Sequence, residues 1–258
     1  MRDRSICIGS ICFGLIAAAL ICPAIVCIAF GQQSGQESAA QSPERKLTPE
    51  QIRLGERLPL PRAPLFFREE WKTVKAEQGA TQDIVSNPNL DLKLYGASGK
   101  ELQTLGKVGD ETNPAHLWTG LCTTPCGAAL RDRNRYVDLT GAAKIRWLTK
   151  VSGLHKVHPM VKLADGTWLV GSHADGSTAD WLEGEFLISE MRWLKLDPEK
   201  MLTHGNWVEH PDLSKVDEVG FTDLMPSSGH GPGGWSDVAW IEVYGKTVKR
   251  DGGATSSK

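Results

Sequence analysis

Residues 215–245 read KVDEVGFTDLMPSSGHGPGGWSDVAWIEVYG. Two short apolar runs, one around Val219 and Phe221 and the other from Val238 to Val243, enclose a stretch rich in glycine, serine and proline. The apolar runs predict strands, and the glycines and prolines between them predict a long loop. Rigid strands that carry a polar loop are typical of a β-sandwich that displays a functional site.

The rest of the chain repeats this alternation of short strands and turns. Further strands are predicted over residues 90–95, 144–151, 160–163, 167–170, 185–188 and 191–196. Asp165-Gly166 reads as a two-residue hairpin turn between the third and fourth of these. A long helical period is not evident after residue 70. The sequence therefore predicts an all-β protein, an antiparallel β-sandwich or jelly roll over residues 63–246.

The two ends of the chain read differently from this domain. Residues 1–31 combine a short basic start with an almost wholly apolar run at 6–30, which predicts a signal peptide cleaved after Gly31 or, alternatively, an uncleaved membrane anchor. Residues 32–62 are polar and predict a disordered linker, and residues 247–258 predict a disordered tail. We expect an exported protein, periplasmic or extracellular, that meets a membrane only through an uncleaved N-terminal segment.

Charge and cysteine content narrow the classes of partner and compartment. The formal net charge of −2 with scattered Lys and Arg gives no basic stripe, so no nucleic-acid partner is expected. Four of the six cysteines lie in the apolar N-terminal segment, which leaves Cys122 and Cys126 in the domain. In an exported protein this pair predicts one disulfide that closes a tight loop. A metal site there would need two more ligands, and only His116 is close in sequence.

Four segments resemble galactose-binding-like jelly-roll domains, a group similar to carbohydrate-binding modules in exported bacterial proteins. The segments are YVDLTGAAKIRWLTKVSG (136–153), LADGTWLV (163–170), HPDLSKVDEVGFTD (210–223) and WSDVAWIEVYGK (235–246). The resemblance covers roughly residues 130–246. It implies the jelly-roll fold and carbohydrate binding at loops on one end or on one sheet face, although many such domains serve instead as structural or assembly modules.

The loop after Asp223 is the first candidate for a ligand site. Asp223 and His230 can hydrogen-bond hydroxyl groups, Trp235 can stack on a sugar ring, and the intervening glycines allow close approach of the backbone. We expect Trp118, His155 and His173 to complete a carbohydrate-binding set without catalysis. The alternative is a Gly-rich connector whose tryptophan packs on the core. We expect most of the nine tryptophans in the core and two or three exposed.

A catalytic interpretation remains open beside the binding one. Glu183 and Glu185 would share one face of a strand, and a glycan hydrolase or lyase could use them, with Asp223 or His230, as acid and base. A solvated strand face explains the same pair. The sequence contains neither a Gly-x-Ser-x-Gly elbow nor a phosphate-binding or dinucleotide-binding loop in the required context.

Metal binding is a further possibility, and no other cofactor is expected. Asp175 and Asp180, with Ser177 and nearby carbonyls, offer oxygen ligands at loop spacing for a structural calcium ion. A three-histidine zinc site drawn from His155, His158, His173 and His230 is conceivable, but separate surface or turn histidines are the simpler explanation.

Overall fold

The computed structural model describes residues 48, 50, 53, 62–73, 78–227 and 233–250. The chain divides into two compact units, Met1–Leu58 and Pro59–Lys258. Every strand of the described residues lies in the second unit. The expected signal segment at residues 1–31 and nearly all of the expected linker lie outside the described residues. Among the described residues, no helix has the length and apolarity that crossing a bilayer requires.

The described part of the second unit consists of strands and three short 3-10 turns. The turns are Gln82–Ile84, Gly99–Glu101 and Ile188–Glu190. The strands are β1 (Leu65–Glu70), β2 (Gln78–Gly79), β3 (Leu90–Tyr95), β4 (Gln103–Leu105), β5 (His116–Trp118), β6 (Cys126–Asp132), β7 (Arg135–Asp138), β8 (Lys144–Val151), β9 (Val157–Leu163), β10 (Trp168–Gly171), β11 (Leu182–Leu187), β12 (Trp193–Asp197), β13 (Leu202–Val208), β14 (Val216–Asp223), β15 (Ser236–Tyr244) and β16 (Lys246–Lys249).

These strands form two antiparallel sheets. The first sheet has the order β11-β8-β15-β5-β4-β2, with β1 also paired to β15. The second has the order β13-β12-β10-β9-β14-β6-β3, with β7 paired to both β14 and β16. The strands β14 and β15, which are consecutive in the sequence, thus belong to different sheets. The predicted all-β antiparallel sandwich of jelly-roll type is confirmed.

Side-chain alternation places one face of each sheet in a shared core. Along β8 the odd-numbered residues from Ile145 to Val151 are buried, whereas the even-numbered ones are partly exposed. Trp147 of the first sheet and Trp193 and Phe221 of the second belong to one buried cluster. A smaller cluster around Met160 and Trp168 lies on the opposite face of the second sheet, since Val161, the neighbour of Met160, belongs to the main core.

The predicted hairpin at residues 160–170 is present with a longer turn than expected. Leu163 N–H donates to Thr167 O at 2.8 Å, so three residues rather than two separate the paired positions. Gly166 adopts φ 91°, the left-handed conformation that closes a three-residue hairpin loop. Asp-Gly therefore marks the turn correctly, and the additional residue of the loop is Ala164.

Two further differences concern strands with little apolar character. β13 reads LTHGNWV and was not predicted, because it is an edge strand whose residues are nearly all exposed and show no alternation. β16 extends the folded part to Lys249, three residues past the expected boundary at 246, because its backbone pairs with β7. The predicted strands at 185–188 and 191–196 correspond to β11 and β12, which are separated by the turn Ile188–Glu190.

Candidate functional site

Segments from three loops meet at one end of the sandwich, which we call the loop end: residues 119–125, residues 152–156, and residues 224–227 with 233–235. Ser227 N–H donates to Cys122 O at 2.8 Å, and Ser152 N–H donates to Trp235 O at 2.9 Å. The predicted disulfide between Cys122 and Cys126 is present and closes the first of these loops. His230 lies outside the described residues.

The carboxylate of Asp223 is the centre of a buried polar network beneath the loop end. Its Oδ2 accepts a hydrogen bond from Ser236 Oγ at 2.7 Å and lies 2.6 Å from His155 Nδ1. Met225 N–H donates to Oδ1 at 3.0 Å. Asp223 is 0% exposed and His155 is 1% exposed. Both side chains therefore face the interior, where they hold the ends of the loops, and their role as ligand contacts stays a prediction.

Trp118 and Trp235 lie near a second buried carboxylate, that of Asp237. Trp118 is 3% exposed and is paired with Asp237 in the first sheet. Burial raises the pKa of Asp237 to about 7, although a hydrogen bond from Trp235 and the charge of Lys150 act in the opposite direction. Sequence reasoning did not identify this residue as a site residue, because its apolar neighbours Val238 and Ala239 make the segment read as an ordinary strand.

His116 is the nearest ionisable neighbour of Asp237, with 3.6 Å between His116 Nε2 and Asp237 Oδ1. Burial lowers the pKa of His116. The ring of Trp181 packs edge-on against His116 at 5.1 Å and donates its N–H to Thr112 O at 3.3 Å. His116 of β5 and Asp237 of β15 thus form a buried pair of ionisable side chains on neighbouring strands.

The loop after β10 lies beside the loop end, because Asp175 pairs with Val157, which directly follows residues 152–156. His173 belongs to this loop. Its Nε2 lies 3.0 Å from Asp175 Oδ1, and its ring stacks on Phe186 with 4.0 Å between centroids. The other oxygen of Asp175 accepts a hydrogen bond from Trp147. Burial opposes ionisation of Asp175, but the hydrogen bonds to His173 and Trp147 outweigh it and lower its pKa. A groove of about 250 Å³ runs along His173 and Phe186, and we call it the His173 groove.

The residues predicted for calcium have separate partners. Asp175 is engaged by His173 and Trp147, whereas the exposed Asp180 lies 3.9 Å from Lys150 Nζ. Over the described ranges, no group of three or more His, Cys, Asp or Glu side chains is arranged to hold a metal ion. Calcium binding stays a prediction.

Glu183 and Glu185 share the outer face of β11, as expected, and are paired with cations there. Glu183 accepts a hydrogen bond from Arg146, and Glu185 accepts one from Lys144 Nζ at 2.8 Å. Arg146 also donates to Glu242 at 2.9 Å, which extends the network to β15. The arrangement matches the solvated strand face that the sequence left open.

Sequence reasoning missed a groove that carries an exposed aromatic ring. It has a volume of about 730 Å³ and lies between the turn Ile188–Glu190 and strands β12 and β13. Its floor is apolar and comprises the buried residues Ile188, Trp193 and Leu213. Its rim carries Arg192, Trp207, Glu209 and His210, and we call it the Trp207 groove.

Trp207 is the most exposed of the nine tryptophans, all of which are described, with 40% of its surface accessible. The guanidinium carbon of Arg192 lies 4.3 Å from the centroid of the indole ring, a cation–π contact that orients it. His210 adopts φ 51°, a conformation uncommon outside glycine and enriched at functional sites. The available sequence signal was a tryptophan within the otherwise polar segment LTHGNWV.

The described residues thus form a jelly-roll-type sandwich with an amphipathic surface groove. No protein-family model matches the chain, and no curated protein matches it. Among solved structures, it is similar to a family 11 carbohydrate-binding module of a cellulosomal cellulase of Clostridium thermocellum, at 18% identity and a TM-score of 0.40. That match covers 67% of this chain and 97% of the module.

Two other solved structures show a comparable level of similarity. A mutant family 29 carbohydrate-binding module complexed with mannohexaose is 11% identical, covers 69% of this chain and 92% of its own, and has a TM-score of 0.31. An exo-β-agarase is 8% identical, and the match, with a TM-score of 0.37, covers 67% of this chain and 25% of the agarase. These TM-scores are low, and the assignment of the fold rests on the strand pairing of this chain.

Proposed function

We propose that this protein binds a carbohydrate in the Trp207 groove and does not catalyse a reaction on it. The observation that carries the proposal is the exposed indole of Trp207, held by Arg192 at the rim of a groove of about 730 Å³. That volume lies in the range of about 300–1,000 Å³ of small-molecule sites. The chain therefore offers a preformed groove whose aromatic ring needs little ordering on binding.

The chemistry of the groove suits a polyhydroxylated ligand. The flat face of an indole covers the C–H face of a pyranose ring, while the N–H stays available for hydrogen bonding. Arg192 supplies a forked donor at the rim, and Glu209 supplies an acceptor. Donors and acceptors around an apolar floor match the alternating hydroxyl and C–H surfaces of a sugar. Affinity in the millimolar to micromolar range, about −4 to −8 kcal/mol, is expected for such an open site.

The absence of catalysis is supported by the environments of the candidate acids. Glu183 and Glu185 are paired with Arg146 and Lys144 on another sheet face. Asp237 has a raised pKa, but it is buried beside His116 rather than in the Trp207 groove. A hydrolase or lyase, the alternative function, would need two titratable groups with separated pKa values around one open pocket.

We also propose an exported location, periplasmic or extracellular. The disulfide between Cys122 and Cys126 supports it, because structural disulfides persist in oxidising compartments.

The experiment is affinity electrophoresis of the purified protein in gels with mixed-linkage β-glucan, galactomannan, xylan or agarose. We expect one polysaccharide to retard the wild type and Trp207→Ala to abolish the retardation. Trp235→Ala tests the loop end in parallel and should leave it unchanged. Thermal unfolding confirms that each variant is folded. If Trp207→Ala is still retarded and Trp235→Ala is not, binding takes place at the loop end instead. Release of reducing sugar from the retarding polysaccharide would favour the enzyme.

A further inference from the structure

We infer that the Trp207 groove and the His173 groove form one continuous binding track, which takes an extended oligosaccharide rather than a single sugar. This inference rests on the proposed function. It adds the length of the ligand and a second aromatic subsite.

The two grooves share a wall residue. Met191 lines both of them, at the point where the turn Ile188–Glu190 leads into β12. Its seat depends on Gly171, since a Cβ at position 171 would lie 1.9 Å from the sulfur of Met191. A flexible and polarisable thioether therefore lies between the two grooves.

The backbone on either side of Met191 is fixed, so the two grooves keep a constant relation. Ser172 N–H donates to Arg192 O at 2.8 Å, and Arg192 N–H donates to Ser172 Oγ at 3.1 Å. Ser172 lines the His173 groove and Arg192 lines the Trp207 groove. A ligand that spans both grooves consequently meets a prepared surface, which lowers the ordering cost of binding.

The His173 groove offers the same combination of ring and polar groups as its neighbour. The His173 and Phe186 rings are stacked with an interplanar angle of 20°, and 3.0 Å separates His173 Nε2 from Asp175 Oδ1. Ser172 and Glu190 contribute polar atoms to the same groove. At about 250 Å³ this groove is the smaller of the two, as expected for a secondary subsite that extends a ligand anchored at Trp207.

The test is calorimetric titration with manno-, mixed-linkage gluco-, xylo- and agaro-oligosaccharides, each as a ladder from disaccharide to hexasaccharide. In the wild type we expect affinity for the binding class to rise about tenfold from the shortest to the longest ligand. In His173→Ala and Glu190→Ala the short-ligand affinity should be unchanged and the gain with length should disappear. Glu199→Ala, an exposed acidic residue in the β12–β13 turn outside both grooves, is the matched control and should keep the gain.

Failure of this inference is distinguishable from failure of the proposed function. Binding that depends on Trp207 but is independent of ligand length, or a length gain that survives in both His173→Ala and Glu190→Ala, overturns the continuous track alone. Binding to none of the four ladders, or binding that Trp207→Ala leaves intact, overturns the track together with the proposed site.

Discussion

Ser236 donates a hydrogen bond of 2.7 Å to Asp223, so a side chain of one sheet satisfies a fully buried carboxylate of the other. The same oxygen of Asp223 lies 2.6 Å from His155 Nδ1. Buried charges are stable only when they are paired and hydrogen-bonded. Because Asp223 ends β14 and Ser236 begins β15, this contact also fixes both ends of the long loop between them.

Replacing Asp223 should therefore destabilise the fold. Asp223→Ala leaves Ser236 and His155 without their buried acceptor and should lower the free energy of unfolding by about 3 kcal/mol. Asp223→Asn keeps one acceptor oxygen and should cost less. Urea unfolding measures both, and Asp212→Ala, at an exposed carboxylate in a turn, serves as the control. Equal stabilities of Asp223→Ala and Asp212→Ala would contradict the structural role given to the network.

Asp237 should make stability depend on pH. Its carboxyl has a pKa of about 7 in the folded protein against an ordinary 3.8, so the folded state holds a proton that the unfolded chain loses first. Stability from this group is present at low pH and is lost as the pH rises through about 7. Between about pH 5 and about pH 8, the thermal unfolding midpoint of Asp237→Asn should fall less, or rise more, than that of the wild type.

Two comparisons make the Asp237 measurement specific. Asp180→Asn changes an exposed carboxylate near Lys150 and should behave as the wild type does. The buried His116 has a lowered pKa, so its contribution runs the other way, with stability falling as the pH falls below its ordinary value of 6.5. Identical pH profiles for Asp237→Asn and the wild type would refute the raised pKa.

The disulfide should stabilise the domain modestly. Cys122 and Cys126 are four residues apart, and closing so short a loop removes little entropy from the unfolded chain, about 2 kcal/mol. The double variant Cys122→Ser/Cys126→Ser should lose that amount in urea unfolding, and reductant should no longer affect it. A wild type whose unfolding is indifferent to reductant would show that the bridge does not stabilise this loop.

The carboxylates on β11 should contribute little to the stability of the fold or to glycan binding. Glu183 and Glu185 have side chains about half exposed, and exposed ion pairs contribute about 0–1 kcal/mol. Glu183→Gln and Glu185→Gln should each change the free energy of unfolding by less than about 1 kcal/mol. Glycan retardation should be unchanged in both. Turnover of a glycan by the wild type that is lost in either variant would restore the hydrolase or lyase interpretation.

Much of the fold was accessible from the sequence because the central strands are half-buried. The eight-residue alternation of β8 and the glycine turn after Leu163 are local signals that tertiary packing reinforces. The strand β13 gave no such signal, because an edge strand with both faces near solvent needs no apolar period. Its position is set by backbone pairing with β12, which a hydrophobic pattern does not encode.

The candidate site was less accessible than the fold for a related reason. Asp223 and His155 are polar residues near loops, which makes them resemble ligand contacts, but pairing across the two sheets buries them. Trp207 and Arg192 meet only because the β12–β13 hairpin brings them together. Sequence spacing alone does not distinguish a carboxylate that is satisfied inside the protein from one that faces a ligand.

The most direct test of carbohydrate binding in the Trp207 groove is an NMR titration of the tryptophan indole N–H signals. The signal of Trp207 is identified by its absence in Trp207→Phe, and that of Trp235 by its absence in Trp235→Phe. The titrant is an oligosaccharide of the polysaccharide that retards the wild type most strongly. We predict a saturable shift of the Trp207 signal while the Trp235 signal stays in place. A Trp207 signal that does not move while that of Trp235 does would contradict the account.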